Sequence, residues 1–458
     1  MTTKITEFVH ESWSSRLGFL FATIGTAVGL GNLWRFPYIT GVNGGGAFVT
    51  VYIVCILLLG IPLMMSELLL GRRGGQSGVN TMRKLALEEN ASPLWQVIGW
   101  MMVLIPLFGI TYYSVVAGWG LAYVFESAMG NFDGIDGAAS AGIFESLSSN
   151  PLRMACWHGA FMGITMFIVS RGVNQGIEKA AKVMMPALFI ILVVLVGYAA
   201  FTADFKAGLN FLFNFDPSKL SGEVFLMALG QAFFSLAISV GVMMTYGAYL
   251  SRDVSITYSV CVIAFADTCV ALLAGLAIFP IVFASGLQPG EGPGLIFVTM
   301  PVAFGQMPAG IIFGTLFFVL LCFAAITTGI GMLEPAVSWL EEREGANRKH
   351  ITLGLGAICW IVGLASVFSF NIWQDFRPLG FIDKFADKNF FDMLDFLLAH
   401  IFIPFGGLLI ALFTGWVMAR SSSLDELGIE DGPVFKTWRF LVRYVAPLAV
   451  FSILYAYI

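Results

Sequence analysis

Charge is what this sequence has least of. Only 12% of its 458 residues are Asp, Glu, Lys or Arg, while 58% are hydrophobic and 43 are Phe. An ordinary soluble domain carries about twice that share of charge, so a water-facing globular protein is excluded and lipid is the expected surrounding medium. The 24 basic and 29 acidic residues leave a net charge of −5, and with no basic excess a nucleic-acid partner is not expected. Histidine is scarcer still. The four His (His10, His158, His350 and His400) show no metal-ligand spacing, and Walker, G-x-S-x-G and H-E-x-x-H patterns are missing. Chemistry on a covalent bond is therefore not expected. The six Cys sit in apolar runs without a C-x-x-C pair and read as small core hydrophobes. No small-residue cleavage site follows the first apolar run, which does not read as a signal peptide.

What is present is a series of long apolar stretches. A bilayer crossing needs about 20 such residues, and eleven candidates lie near 17–39, 48–70, 100–125, 154–170, 183–201, 224–250, 256–285, 311–340, 351–368, 393–419 and 440–458. With the N-terminus inside, seventeen of the 24 basic residues, Lys4 among them, fall on the cytoplasmic side. The positive-inside rule then sets N-terminus in and C-terminus out. The expected fold is all-α and integral to the membrane, one domain over 1–458, and the short termini and outer loops suggest a prokaryotic inner membrane.

Two spans are interrupted by small and polar residues. The first reads Gly25-Thr26-Ala27-Val28-Gly29-Leu30-Gly31-Asn32 and the sixth Ser235-Leu236-Ala237-Ile238-Ser239-Val240-Gly241. Unwound backbone at membrane depth survives only where protein or a cavity surrounds it, and paired breaks in two halves mark the binding site of an inverted-repeat transporter. Helix packing through Gly25-x-x-x-Gly29 is the alternative for the first break alone. Asp267 lies mid-span, where a carboxylate costs at least about 2.5 kcal/mol. It calls for a bound cation or, failing that, a proton shared within the bundle. Thr327 and Thr328 place two hydroxyls on the eighth span. They are hard oxygen donors suited to Na⁺, although a membrane threonine commonly bonds its own i−4 carbonyl.

Gly29-Leu30-Gly31-Asn32-Leu33-Trp34-Arg35-Phe36-Pro37-Tyr38, Asn43-Gly44-Gly45-Gly46-Ala47-Phe48, Gly60-Ile61-Pro62-Leu63 with Glu67, and Arg171-Gly172-Val173-Asn174-Gln175-Gly176-Ile177-Glu178-Lys179 together resemble the neurotransmitter:sodium symporter family. The resemblance runs from Trp13 to about Phe440. It implies a core of two inverted five-helix repeats, here about 13–201 and 224–419, with one extra helix at about 438–458 where the family usually has two.

It further implies a Na⁺-coupled symporter of amino acids working by alternating access. One Na⁺ would take the Ala27 carbonyl with Asn32, Ser235 and Asp267, and a second the carbonyls of Gly25, Val28 and Ala324 with Thr327 and Thr328. Asp267 stands where animal members carry Asn, and Ala271 where a Ser completes a chloride site with residues matching Tyr52, Gln231 and Ser235. A fixed carboxylate would then replace chloride, and no chloride is expected. Proton return through Asp267 is open.

The cargo carboxylate would meet the amides of Leu30 and Gly31 and the Tyr113 hydroxyl. Gly29, where amine transporters place Asp, argues for an amino acid. Matching pocket residues, with Ala27, Ser235 and Ile238 beside them, are Gly109, Phe234, Ala237, Ser239, Val240, Thr328 and Met332, which imply a large hydrophobic or aromatic side chain. GABA or taurine is the second reading of the cargo, and a sensor or channel on the same fold the alternative to transport. Arg35 and Asp395 would close the outside above Phe234 and Tyr113. Trp13 would plug the inside, and Glu342 would latch the N-terminal segment through His10. Imidazoles lose their charge near neutral pH, so such a latch loosens as the cytoplasm turns alkaline.

Overall fold

The computed structural model describes residues 10–287, 294–343 and 345–457. Lys4 and Ile458 lie outside them. Among the described residues, nine unbroken helices are long and apolar enough to cross a membrane: Gly46–Gly74, Pro93–Ala128, Pro151–Val169, Val173–Thr202, Ile256–Ala284, Gly310–Glu341, Arg348–Phe368, Phe390–Val417 and Pro433–Tyr457. Ahead of them stands a bent pair, Arg16–Ala27 with Gly31–Val42, which kinks by 48°. The sixth crossing is divided into Gly222–Ser235 and Val242–Ala248. Counting the bent pair and this divided helix as one crossing each, the described residues hold the eleven crossings expected from the apolar runs, with the first and sixth broken.

Side-chain caps explain where several helices start. Ser15 accepts the Gly18 amide at 3.1 Å, Asn150 that of Arg153 at 3.0 Å and Ser221 that of Val224 at 3.1 Å, each satisfying a backbone donor that a helix end leaves free. The break in the sixth span has a different origin. Ala237, Ser239 and Gly241 adopt φ of 50°, 64° and 81°, a left-handed backbone that stops the helix and costs a non-glycine residue about 1–2 kcal/mol.

Wider π-helical turns recur along the spans, and five of them sit just ahead of a proline: Gly31–Arg35 before Pro37, Ile56–Gly60 before Pro62, Leu295–Thr299 before Pro301, Leu397–Phe402 before Pro404 and Leu441–Val445 before Pro447. A proline has no N–H to give and its ring collides with the carbonyl four residues back. Widening the preceding turn relieves both problems.

The third and eighth spans pack along their length and form the centre of the bundle. The second half of the sixth span is held close to its neighbours by glycine. A Cβ on Gly71 would stand 1.9 Å from the Met244 carbonyl oxygen, and one on Gly241 1.9 Å from that of Met102. No side chain larger than hydrogen fits there. The outer surface is apolar, as a lipid-facing surface must be: Leu448, Phe451 and Tyr455 are 72%, 61% and 81% exposed.

Candidate functional site

The two breaks face each other across the middle of the bundle, and the polar atoms they free are joined to the seventh span. Asn32 Nδ2 donates to Asp267 Oδ1 at 2.8 Å, to the Asp267 carbonyl at 3.1 Å and to Ser235 Oγ at 3.1 Å. Ser235 Oγ donates to Asp267 Oδ2 at 2.5 Å, and the Tyr52 hydroxyl donates to Ser235 Oγ at 3.0 Å. Asn32, Asp267 and Tyr52 are completely buried. A carboxylate and a hydroxyl meet here in a dry setting, while the Asn32 amide oxygen accepts the Gly29 amide at 3.3 Å; oxygen donors of this kind suit Na⁺ rather than a thiophilic metal. Among the described residues no three His, Cys, Asp or Glu side chains cluster.

On the other side of the first break, Gly25 lies against the eighth span, where a Cβ would come 3.1 Å from Thr327 Cβ. Thr327 Oγ1 donates to the carbonyls of Phe323 and Ala324, at 2.9 and 3.0 Å. It thus makes the local bond usual for a membrane threonine. Thr328 behaves differently and crosses to the first span, donating to the Thr26 carbonyl at 3.1 Å. Of the two hydroxyls, the one on Thr328 is thus directed at a carbonyl of the first span.

Between the breaks lies a cavity of about 50 Å³. Of the residues expected there, Ala27, Gly29, Leu30, Gly31, Gly109, Tyr113, Phe234, Ala237, Val240, Thr328 and Met332 line it. Ser235, Ile238 and Ser239 do not. Ser235 is taken up by Asp267, and Ile238 is fully buried in the core. Ser239 turns its side chain to the tenth span, where Cβ atoms on Gly406 and Gly407 would stand 3.1 Å from its Cβ and Oγ. Its hydroxyl therefore faces away from the space that it was expected to make more polar. Among the described residues no charged side chain lines the cavity. The Tyr113 hydroxyl is buried and makes no hydrogen bond of good geometry, with the Thr328 hydroxyl and the Leu30 backbone close enough to act on it. A Cβ on Gly29 would stand 2.4 Å from Thr328 Oγ1 and 3.4 Å from the Tyr113 hydroxyl. The bare glycine keeps this end of the cavity open.

A second cavity of about 240 Å³ is lined by Trp34, Arg35, Tyr38, Asp392 and Asp395, and it shares Leu30, Tyr112, Tyr113 and Phe234 with the first. Those shared side chains separate the two. The Arg35 guanidinium lies 4.5 Å over the Phe234 ring and acts electrostatically on Asp395.

At the opposite end the N-terminal segment is tied to the bundle. Trp13 donates its amide to the Tyr249 carbonyl at 3.2 Å and its indole N–H to the Tyr246 carbonyl at 3.0 Å. His10 Nε2 meets Glu342 Oε1 at 2.6 Å, and Ser77 and Asn80 also donate to that carboxylate. Burial alone would raise the Glu342 carboxyl, but the hydrogen bonds from His10 and Ser77 outweigh it and hold the group below the ordinary glutamate value.

Sequence reasoning gave no role to Glu67, whose Oε1 accepts the Ser239 amide at 2.6 Å. It also passed over Leu398 and Ile403 of the tenth span, which both line the cavity between the breaks. The signal for Glu67 was available: a lone carboxylate inside an apolar run, as at Asp267. Glu67 enters the sequence reading only through the motif that carries the family resemblance.

The sodium:neurotransmitter symporter family matches residues 10–133 and 153–456. The sodium-dependent transporter YhdH of Bacillus subtilis is 37% identical over 96% of this chain and 95% of its own. A sodium-dependent transporter of Haemophilus influenzae is 30% identical, over 97% of each chain. The crystal structure of MhsT in complex with L-phenylalanine superposes with a TM-score of 0.89 at 38% identity, covering 98% of this chain and all of that one.

Proposed function

The chain belongs to the sodium:neurotransmitter symporter family and is a sodium-coupled, multi-pass membrane transporter, and we propose that its cargo is a large neutral L-amino acid carried by alternating access. The observation that carries this reading is the make-up of the cavity between the breaks, which has the backbone of Leu30 and Gly31 at one end, apolar side chains at the other and, among the described residues, no charged side chain. A cargo held there brings its own balanced charges, as a zwitterion does. Its carboxylate lies against the Leu30 and Gly31 amides, at the positive end of a half helix, and takes the hydrogen bond that the Tyr113 hydroxyl has free.

Its side chain enters between Gly109 and Met332. A Cβ on Gly109 would stand 2.5 Å from Met332 Cε, so the methionine tip occupies the space that the missing side chain leaves. Met is flexible and adapts to what is placed against it. Swinging aside, it admits side chains of different shapes. The L-phenylalanine bound by MhsT, at 38% identity, supports an apolar cargo of this size.

Two Na⁺ accompany the amino acid. One takes the Ala27 carbonyl, Asn32, Ser235 and Asp267, and is completed by the cargo carboxylate. The other takes the carbonyls of Gly25, Val28 and Ala324 with Thr327 and Thr328. Because cargo and the first Na⁺ share a contact, each raises the affinity of the other by the same factor, and that reciprocity is the coupling. The fixed charge of Asp267 makes chloride unnecessary. In the inner membrane, with the N-terminus cytoplasmic, Arg35, Asp395, Phe234 and Tyr113 form the outer gate, and Trp13, His10 and Glu342 the inner one.

The test is thermal stability of the purified protein against twenty amino acids, GABA and taurine, in Na⁺ and in choline. A ligand at one hundred times its Kd adds about 2.7 kcal/mol to the folded state. Stabilisation by large neutral amino acids in Na⁺ alone, with or without chloride, is the expected result. A GABA or taurine hit, or one indifferent to Na⁺, overturns the reading.

A further inference from the structure

We infer that the π-turn of the tenth span is a selectivity element, with Leu398 and Ile403 forming the wall that decides which large side chains the cargo cavity accepts. The inference rests on the reading of that cavity as the cargo site.

Leu398 and Ile403 both line the cavity and are 3% and 6% exposed. They are five residues apart, and between them runs the π-helical turn Leu397–Phe402. In an α-helix of 3.6 residues per turn, positions i and i+5 point about 140° apart. They could not both face one small cavity. A π-turn closes its hydrogen bonds from i to i+5, which brings such a pair onto the same side. Pro404 explains why the turn is there, since its ring would meet the carbonyl of His400, four residues back, in a regular helix. The proline thus acts through backbone geometry to present two branched apolar side chains to the cavity.

The position of this wall is fixed. Immediately after it, Gly406 and Gly407 pack against Ser239 so closely that a Cβ on either would come 3.1 Å from its side chain. The tenth span is thereby seated on the break of the sixth, which supplies Ala237 and Val240 to the same cavity. Three residues ahead of Leu398 on the same helix, Asp395 lines the outer cavity. One helix therefore contributes to both compartments.

The test compares binding of Trp, Phe, Leu and Val to the wild type, Leu398→Ala, Ile403→Ala and Leu398→Phe, by competition in saturating Na⁺. A group added to or removed from an apolar pocket changes discrimination by about 10–200-fold. The alanine variants are expected to shift the Trp-to-Val affinity ratio at least tenfold towards Trp, and Leu398→Phe to shift it towards Val. A merely structural role would weaken all four ligands alike and leave the ratio unmoved. Ratios within twofold of wild type in all variants overturn the inference while leaving the cargo reading intact. A wild type that binds none of the four overturns both. If the alanine variants fail to fold, Leu398→Val and Ile403→Val carry the same comparison, with a smaller shift of the same sign expected and an unmoved ratio again decisive.

Discussion

A carboxylate oxygen of Glu67 accepts the backbone amide of Ser239 at 2.6 Å, so the second span holds the break of the sixth by its main chain. Removing the acceptor strands a buried amide at a cost of about 1–3 kcal/mol. Glu67→Ala is therefore expected to lower the melting temperature and slow uptake together. Glu67→Gln keeps an acceptor oxygen and should recover most of both. Equal losses in the two variants would show that charge, and not the hydrogen bond, is what the site requires.

Ser239 itself holds a φ of 64°, which glycine adopts without penalty. Ser239→Gly is expected to stabilise the protein by up to about 1–2 kcal/mol and to leave cargo preference unchanged, because the side chain faces Gly406 and Gly407 rather than the cavity. Differential scanning of the pair, with a competition panel, checks both statements.

Anion dependence tests the role given to Asp267. Ser235 and Tyr52 both bond to this carboxylate, and Ala271 is completely buried in the same span. Asp267→Asn combined with Ala271→Ser removes the fixed charge and restores a hydroxyl. Uptake by the double variant is expected to need chloride, and uptake by the wild type to be equal in chloride and gluconate. A double variant active without chloride would remove the charge-replacement argument.

The opening at Gly29 predicts a steric result. A methyl there would stand 2.4 Å from Thr328 Oγ1, a backbone-mounted group short enough to have little room to retreat. Gly29→Ala is expected to retain the folded helical bundle yet bind cargo at least tenfold more weakly, read by isothermal titration in Na⁺. Wild-type affinity would mean that this end of the cavity relaxes and is not part of the cargo's seat.

The contact between His10 and Glu342 has a defined pH sign. Glu342 is held below its ordinary value by His10 and Ser77, against the effect of burial. A carboxyl depressed in the folded state contributes stability above its unfolded value, and this is lost as pH falls through the depressed one. The contribution should therefore be present at neutral pH and disappear on acidification below about pH 4. Glu342→Gln is expected to be less stable at pH 7 and to show a flatter acid limb in a melting-temperature profile. Parallel profiles for the two proteins would contradict this.

Much of the site could be read from sequence for one reason: polar groups are expensive in lipid, so each one inside an apolar run is a signal. Asp267, Asn32 and the Ser235–Gly241 segment stood out in this way, and the structure joins Asn32, Ser235 and Asp267 directly. Ser239 was assigned to the right segment but the wrong direction. Once the helix unwinds, no periodicity tells which way a side chain points. Leu398 and Ile403 were invisible because apolar residues in an apolar helix carry no contrast, and their shared face exists only through the π-turn. The proline that produces that turn was in plain view. Reading prolines as makers of wide turns, rather than as helix breakers, would have exposed the pair.

The ring of Phe234 separates the two cavities on the broken path through the protein, and the Arg35 guanidinium rests on it at 4.5 Å. The barrier between the compartments is thus an aromatic plate bearing a full positive charge. If the guanidinium moves with the plate when it tilts, the electrical distance between Arg35 and the two faces of the membrane changes. A charge carried through the whole field corresponds to about 2.3 kcal/mol for each 100 mV. Voltage then acts on this contact in proportion to the fraction of the field that Arg35 crosses without the Asp395 carboxylate beside it.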